Sequence, residues 1–276
     1  RQRRKSICHN CDYQVPAPCI CPACGELELK EMGAGTERIE HELLERFPNA
    51  RIARMDSDTT SGKGGHARIL DKVGRGEVDI LIGTQMIAKG HDFPGVTLVG
   101  VLQAEGSLYL PDFRAAERTF QVLSQVMGRA GRGDLPGRVL LQAMQPDHYG
   151  IAFAASHDFD SFYQEELLFR QELNYPPFGF LAVLRLSATS ESALIKAAAA
   201  AAQLLGLLKQ QLGVRTEILG PAPAPLYRLR GRYRYQILLK DTTRATLRRL
   251  VSIYRQQQSL PAVIRESIDI DPVDLL

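Results

Sequence analysis

The chain has 276 residues, 45% of them hydrophobic, and a formal net charge of +3. That length and apolar content suit one large or two modest globular domains rather than a disordered tail. No stretch approaches the roughly 20 apolar residues of a membrane helix, so a soluble protein with no membrane partner is expected.

The first residues, RQRRKS, lack a methionine and are followed by no apolar run, which argues against a signal peptide and for a piece of a longer protein. Residues 1–30 are expected to form a cysteine-rich zinc-binding segment. All five cysteines lie between Cys8 and Cys24, and the stretch has no hydrophobic period from which to build a core. Cys8-His9-Asn10-Cys11 and Cys21-Pro22-Ala23-Cys24 form two CxxC knuckles nine residues apart. Knuckles of this kind place two thiolates of one turn on a tetrahedral Zn²⁺, whose binding supplies about 10 to 16 kcal/mol to a segment without a core. Cys8, Cys11, Cys21 and Cys24 are therefore the expected ligands of a structural zinc, with no open position for catalysis. Cys19, two residues from Cys21, is expected to be a spare thiol. Clustering of this kind suits a reducing cytoplasm better than a secreted disulfide scaffold.

Residues 31–150 alternate between helical and strand patterns. A helix over Glu37 to Phe47 puts Ile39, Leu43, Leu44 and Phe47 on one face, with Thr36 as its N-cap. Strands are expected at Arg51 to Met55, Asp79 to Gly83, Val96 to Val101 and Arg138 to Gln142, and helices around His66 to Gly74 and from Asp112 to about Gly128. The alternation predicts a doubly wound α/β sheet with its functional loops at the C-terminal ends of the strands.

Residues 151–178 are expected to be a helical linker, with a helix from Asp158 to Leu173 and a turn at Asn174 to Gly179. Residues 179–276 follow as a basic domain, a small α/β sandwich of about 100 residues. Its expected elements are a strand Leu181 to Ser187, a helix Glu191 to Leu212, a proline-rich turn Gly220 to Pro225, a strand Tyr233 to Lys240, a helix Thr243 to Gln257 and a last strand Val263 to Asp269. Between Leu226 and Gln256 there are nine Arg or Lys against one acid, Asp241. Arg244 and Arg248, four apart on the final helix, share a face that an acidic peptide could reach, and Arg228, Arg230, Arg232 and Arg234 alternate along the preceding stretch. A solvated basic face is the plainer alternative.

Two strings carry the chemistry: Gly83-Thr84-Gln85-Met86-Ile87-Ala88-Lys89-Gly90-His91-Asp92-Phe93 and Gln125-Val126-Met127-Gly128-Arg129-Ala130-Gly131-Arg132-Gly133. They resemble motifs V and VI of superfamily 2 helicases. On that likeness Thr84, Gln85 and Lys89 meet nucleic-acid phosphate, while Gly90, Asp92 and Gln125 face nucleotide. Arg129 and Arg132, three apart among small residues, are the candidate catalytic pair, since an arginine across a cleft from ATP stabilises charge on the transferring phosphoryl group. A Walker A string is absent: Ser61-Gly62-Lys63-Gly64-Gly65 lacks the leading glycine and the following Ser or Thr. No DExH-type box occurs either, so only a second motor lobe is expected here, a RecA-like lobe 2 unable to hydrolyse ATP alone.

Further strings narrow the likeness: Gly33-Ala34-Gly35-Thr36-Glu37, Asp56-Ser57-Asp58-Thr59-Thr60, Asp112-Phe113-Arg114-Ala115-Ala116-Glu117-Arg118, Tyr175-Pro176-Pro177-Phe178 and Gly231-Arg232-Tyr233-Arg234-Tyr235-Gln236. With the knuckles and both motifs, they resemble the PriA family of replication-restart DNA helicases over nearly the whole chain. The resemblance implies a 3′ to 5′ helicase using ATP with Mg²⁺ that recognises stalled forks and single-stranded DNA. It also implies binding to single-strand DNA-binding protein, loading of primosome proteins and a missing N-terminal helicase lobe. Two departures stand out. Gln103-Ala104-Glu105 replaces a more acidic family stretch, and two further CxxC pairs that the family carries are missing, so the two knuckles could serve different metals in an intact protein. A non-catalytic adaptor built on the lobe, or another superfamily 2 translocase, are the competing readings.

Overall fold

The computed structural model describes residues 5–7, 14–16, 20, 25, 35–60, 64–88, 95–131 and 136–275. Two strands, β1 (Lys5–Ile7) and β2 (Gln14–Pro16), pair antiparallel near the start. The four expected zinc ligands Cys8, Cys11, Cys21 and Cys24 lie outside the described residues, as do Lys89, Gly90, Asp92 and Arg132. Among the described residues, no group of three His, Cys, Asp or Glu could hold a metal ion.

The chain divides into two compact units. The first comprises residues 30–109 and 115–163. In it α1 (Thr36–Arg46) precedes β3 (Ile52–Met55), a one-turn α2 (Ser57–Thr60), α3 (Gly65–Gly74), β4 (Ile80–Gly83) and a one-turn α4 (Gln85–Ala88). Then come β5 (Leu98–Val101), α5 (Ala115–Met127), β6 (Arg138–Leu141), α6 (Tyr149–Ala155) and α7 (Phe159–Glu172), which runs on into the second unit. β3 pairs parallel with β4 from Ile52 opposite Ile80 to Met55 opposite Gly83, and β5 pairs parallel with β6 from Leu98 opposite Arg138 to Val101 opposite Leu141. The alternating α/β order is thus as expected, but the described residues form two separate two-stranded parallel sheets, not one continuous doubly wound sheet.

Its core is aromatic and aliphatic. Phe120, Leu123 and Met127 of α5 bury against Ile151 and Ala154 of α6 and Phe162 of α7, and Phe120 stacks on Phe162 at 4.1 Å between ring centres. The short α6 was not expected. His148 caps it, Nδ1 accepting from the Gly150 N–H at 3.1 Å. The expected face of α1 buries poorly, with Leu44 and Phe47 about half exposed. Nor does Thr36 cap α1: Gly35 is the N-cap, and the Thr36 hydroxyl donates instead to Asp56 Oδ2 at 2.6 Å, the stronger partner because it is ionised.

The second unit holds residues 110–114 and 164–276, along with the first 29 residues. β7 (Phe180–Ala188), α8 (Glu191–Leu212), β8 (Glu217–Leu229), β9 (Arg232–Asp241), α9 (Arg244–Gln257) and β10 (Arg265–Ile270) give a βαββαβ order. The sheet runs β10-β7-β9-β8 with every pair antiparallel, which is the ferredoxin-like split βαβ arrangement. One sheet face packs on the helices: Ala182, Leu184 and Leu186 of β7 and Ile237 and Leu239 of β9 bury against Leu194, Ala198, Leu205, Leu247, Leu250 and Tyr254. The α/β sandwich expected for this domain is therefore built with one more strand than its pattern suggested. Gly220 to Pro225, expected as a turn, lies inside the long irregular β8, whose register shifts between Leu219 and Ala222 and again between Pro223 and Arg228. The hairpin turns instead at Arg230 (φ 49) and Gly231 (φ 76), both left-handed, as a two-residue turn between right-twisted strands requires.

α8 is, by composition, long and apolar enough to cross a membrane, with a mean hydropathy of 1.3 over its best window. The sequence reading did not credit it with that. In the fold it is a core helix, burying Leu194, Ala197, Ala198, Ala201, Leu205 and Leu208. Small alanines on its inner face let it lie close to the sheet.

Candidate nucleotide and nucleic-acid sites

The first motif string begins where β4 ends. Gly83 has no room for a side chain: a Cβ there would stand 2.5 Å from the Met55 carbonyl oxygen and would strike Ile87. Glycine thus lets α4 fold back directly over the ends of β3 and β4. This exposes Thr84 and Gln85 at the strand termini, with the Thr84 carbonyl accepting from the Ile87 N–H at 3.0 Å. Beside them at the same edge, Asp56 is buried and accepts from Thr36 Oγ1 and from the Thr59 N–H at 2.9 Å, and pairs with Arg54 at 3.2 Å. Burial pushes the Asp56 carboxyl up, but the Thr36 and Thr59 hydrogen bonds and the Arg54 charge outweigh it, and the net shift is downward. The strings around Thr36 and Asp56 therefore meet through one hydrogen bond. Asp56 had been given no role from sequence, and Thr36 only that of an N-cap.

The second string is placed differently from expectation. α5 runs back from the loop after β5, so its C-terminal end, with Gln125 exposed on the last turn and Arg129 half-buried just beyond, returns toward the strand entries. The Gly131 N–H donates to the Val96 carbonyl at 3.2 Å, just ahead of β5, and the Arg138 N–H donates to Thr97 at 2.8 Å as β6 begins. The described part of motif VI, Gln125 to Gly131, thus ends at the N-terminal edge of β5 and β6, not at a C-terminal edge. Chain direction explains this: a helix that follows a parallel strand must carry the chain back to where the next strand starts.

Gly131 makes that bend possible. Its φ is +75°, and a Cβ on it would lie 2.8 Å from the Gly137 backbone nitrogen, while a Cβ on Gly137 would strike the Gly131 backbone in turn. Two glycines back to back let the chain cross itself. Gly137 was missed in the sequence because its partner is fixed only by the crossing. Glu105 is a further residue that spacing alone could not place. Buried at the C-terminal end of β5, it accepts from the Met144 N–H at 3.1 Å and fixes the chain leaving β6.

In the second unit Arg244 and Arg248 both stand on α9, as expected. Arg244 is engaged within the domain: its Nε donates to Asp271 Oδ2 at 3.1 Å and its guanidinium lies 5.4 Å from the Phe180 ring centre. Arg248 and Arg249 are exposed. The alternating arginines are not equivalent either. Arg232 donates to the carbonyls of Ser187 at 2.7 Å and Val263 at 3.2 Å, tying β9 to its neighbours. Arg228 lies 5.1 Å from the Tyr233 ring, and burial, then the nearby Arg185, pulls Arg234 below the ordinary arginine range.

A two-motif α/β lobe followed by a ferredoxin-like domain defines the class as a helicase C-terminal lobe with an appended domain. The family described as helicase conserved C-terminal domain matches residues 31–134, and that described as primosomal protein N C-terminal domain matches residues 171–273. The chain is 45% identical over 269 residues to replication restart protein PriA of Bacillus subtilis, covering 98% of this chain and 31% of that protein. It is 42% identical to the PriA protein of Synechocystis, covering 97% and 32%, and 39% identical to that of Chlamydia muridarum, covering 99% and 36%. The chain belongs to the PriA family and spans about a third of the length of these relatives, corresponding to their C-terminal part.

Proposed function

We propose that the chain supplies the second motor lobe and the C-terminal domain of an ATP-dependent 3′ to 5′ DNA helicase that recognises stalled or collapsed replication forks and starts primosome assembly. The observation that carries this reading is the tight turn at Gly83, where a Cβ would stand 2.5 Å from the Met55 carbonyl oxygen and after which Thr84 and Gln85 stand exposed at the strand ends. Arg129 and Arg132 act on the charge of a transferring phosphoryl group, with Gln125, Gly90 and Asp92 facing nucleotide bound with Mg²⁺. Thr84, Gln85 and Lys89 contact the DNA backbone, the first two from the exposed strand edge. Cys8, Cys11, Cys21 and Cys24 hold structural Zn²⁺, because paired thiolates are the one constraint available to a segment without a core. Metal analysis of the purified chain is expected to return about one Zn²⁺ per molecule, or about two if further ligands complete separate sites. On α9, Arg248 and the half-exposed Arg244 receive an acidic peptide such as the tail of single-strand DNA-binding protein.

Joining the chain to an N-terminal helicase lobe and measuring ATP hydrolysis tests the motor. Fork DNA is expected to stimulate turnover, duplex RNA is not, and Arg132→Ala is expected to lower the stimulated rate by about 10³-fold or more. Stimulation by fork DNA that survives Arg132→Ala and Arg129→Ala together would leave only the adaptor reading. The 276-residue chain alone is expected to show no DNA-stimulated hydrolysis.

A further inference from the structure

Within the C-terminal domain, three strand ends meet at the start of α9. Phe180 opens β7, Asp241 closes β9 opposite it, and Asp271 follows β10, its N–H donating to the Leu181 carbonyl at 2.9 Å. Asp241 fixes the backbone there: its Oδ1 accepts from the Thr243 N–H at 2.8 Å and its Oδ2 from the Thr216 hydroxyl at 2.6 Å. The next residue, Arg244, is the first of α9, and the first turn of that helix holds no acid. A cation at this end of a helix is opposed by the helix dipole, so Arg244 needs support from elsewhere. Phe180 presents its ring 5.4 Å from the guanidinium, and Nε and Nη2 of Arg244 both donate to Asp271 Oδ2, Nε at 3.1 Å. Asp271 is itself placed by a left-handed backbone, φ 57, which aspartate tolerates better than most residues.

A guanidinium presents its N–H donors in one fixed plane. A carboxylate on the Nε and Nη2 side therefore leaves the Nη1 and Nη2 edge for a second carboxylate, and 52% of the Arg244 side chain is exposed. An arginine held beforehand by an acid and a ring loses less rotamer freedom on meeting a ligand than one waving in solvent. We propose that Asp271 and Phe180 are positioning residues for the peptide site on α9, holding the Arg244 guanidinium with its outer edge toward the face it shares with Arg248. Asp271 also makes the site selective. Its negative charge weakens attraction by net charge, so paired hydrogen bonds to a planar carboxylate become the main source of affinity. The inference rests on the reading that α9 receives an acidic peptide, and adds to it the groups that prepare one of the two arginines.

Fluorescence anisotropy of a labelled acidic peptide with an apolar, free C-terminal end, titrated with the 276-residue chain, gives the sign of the effect. Asp271→Gly removes the carboxylate and accepts the left-handed backbone without strain. It is expected to weaken binding about three- to tenfold, although it also removes a charge that repels the peptide. Asp271→Asn, which keeps an acceptor oxygen, and Phe180→Tyr, which keeps a ring, are expected to hold the affinity, whereas Phe180→Ala should weaken it. Unchanged or tighter binding in Asp271→Gly overturns the proposal, because an Asp271 that competes with the peptide gives that result. NMR supplies a readout without peptide: the Arg244 Nε–H resonance is expected to be protected from exchange in the original chain and in Asp271→Asn, and to be lost in Asp271→Gly while the amides of β7, β9 and β10 stay protected. An Nε–H resonance indifferent to Asp271→Gly, or a loss shared by those strands, also overturns it. The peptide reading fails separately: if the resonance is lost in Asp271→Gly while Arg244→Ala and Arg248→Ala together bind the peptide as the original chain does, Asp271 still positions Arg244 but α9 is not the peptide's site.

Discussion

At the scale of single residues, the glycine crossing at motif VI and the clamp at the entry of β3 give the sharpest tests. Gly131→Ala puts a Cβ into the Gly137 backbone at a left-handed φ, and is expected to cost about 1 to 3 kcal/mol in denaturant unfolding. At the other strand pair, Asp79 accepts from the Arg51 N–H at 2.7 Å and from the guanidinium at 2.9 and 2.6 Å. These bonds hold the Asp79 carboxyl down at about 2. A carboxyl lowered on folding favours the folded state fully above its unfolded value, about 3.9, and loses that effect as pH falls from there toward 2. An NMR titration is expected to find the Asp79 midpoint near 2, and to find it back toward about 3.9 in Arg51→Ala. The identity of the motif residues was legible because arginine and glycine at fixed spacing have few other uses. What Thr36, Asp56 and Gly137 touch was not, because each partner is chosen by a chain crossing that no local pattern encodes.

At the scale of elements, sequence period located the longer helices and most of the strands, whereas β1, β2, the one-turn α2 and α4, the short α6 and β8 were not expected. α5 was expected from Asp112 but starts at Ala115, because Asp112 turns its carboxylate onto the Arg114 and Leu275 amides rather than into a first helical turn. β8 was hidden by Gly220 and three prolines, which signal a turn locally but are accommodated on an outer strand with register shifts. α8 was placed correctly at Glu191 to Leu212, with Ser190 capping it and Gly213 (φ 62) ending it. Its inner face gives a further test. Leu205 is fully buried among β-sheet and α9 side chains, so Leu205→Ala is expected to cost about 2 to 5 kcal/mol by chemical denaturation, whereas Leu207→Ala on the exposed side should cost within about 0.5 kcal/mol.

At the scale of the whole molecule, composition and motif order foretold a motor lobe followed by a basic α/β domain, and the family matches fall on those two stretches. The exchange of residues 110–114 into the C-terminal unit was beyond reach, since the strings around Phe113 and Tyr175 lie 62 positions apart and nothing in either names the other. The ferredoxin-like sheet carries one more consequence. An open sheet ends in strands with unpaired donors, and such a border can recruit a stray strand from another molecule and seed aggregates. Here β8 is one border, and Pro221, Pro223 and Pro225 deprive it of N–H groups at alternate positions while its bulges spoil the register a recruit would need. The irregularity leaves a turn-like sequence, and what it works against is edge-to-edge pairing between copies of the domain. Replacing Pro223 and Pro225 with threonine should leave the monomer folded yet make light scattering rise with protein concentration, and a double variant that stays monomeric would show that the prolines guard nothing.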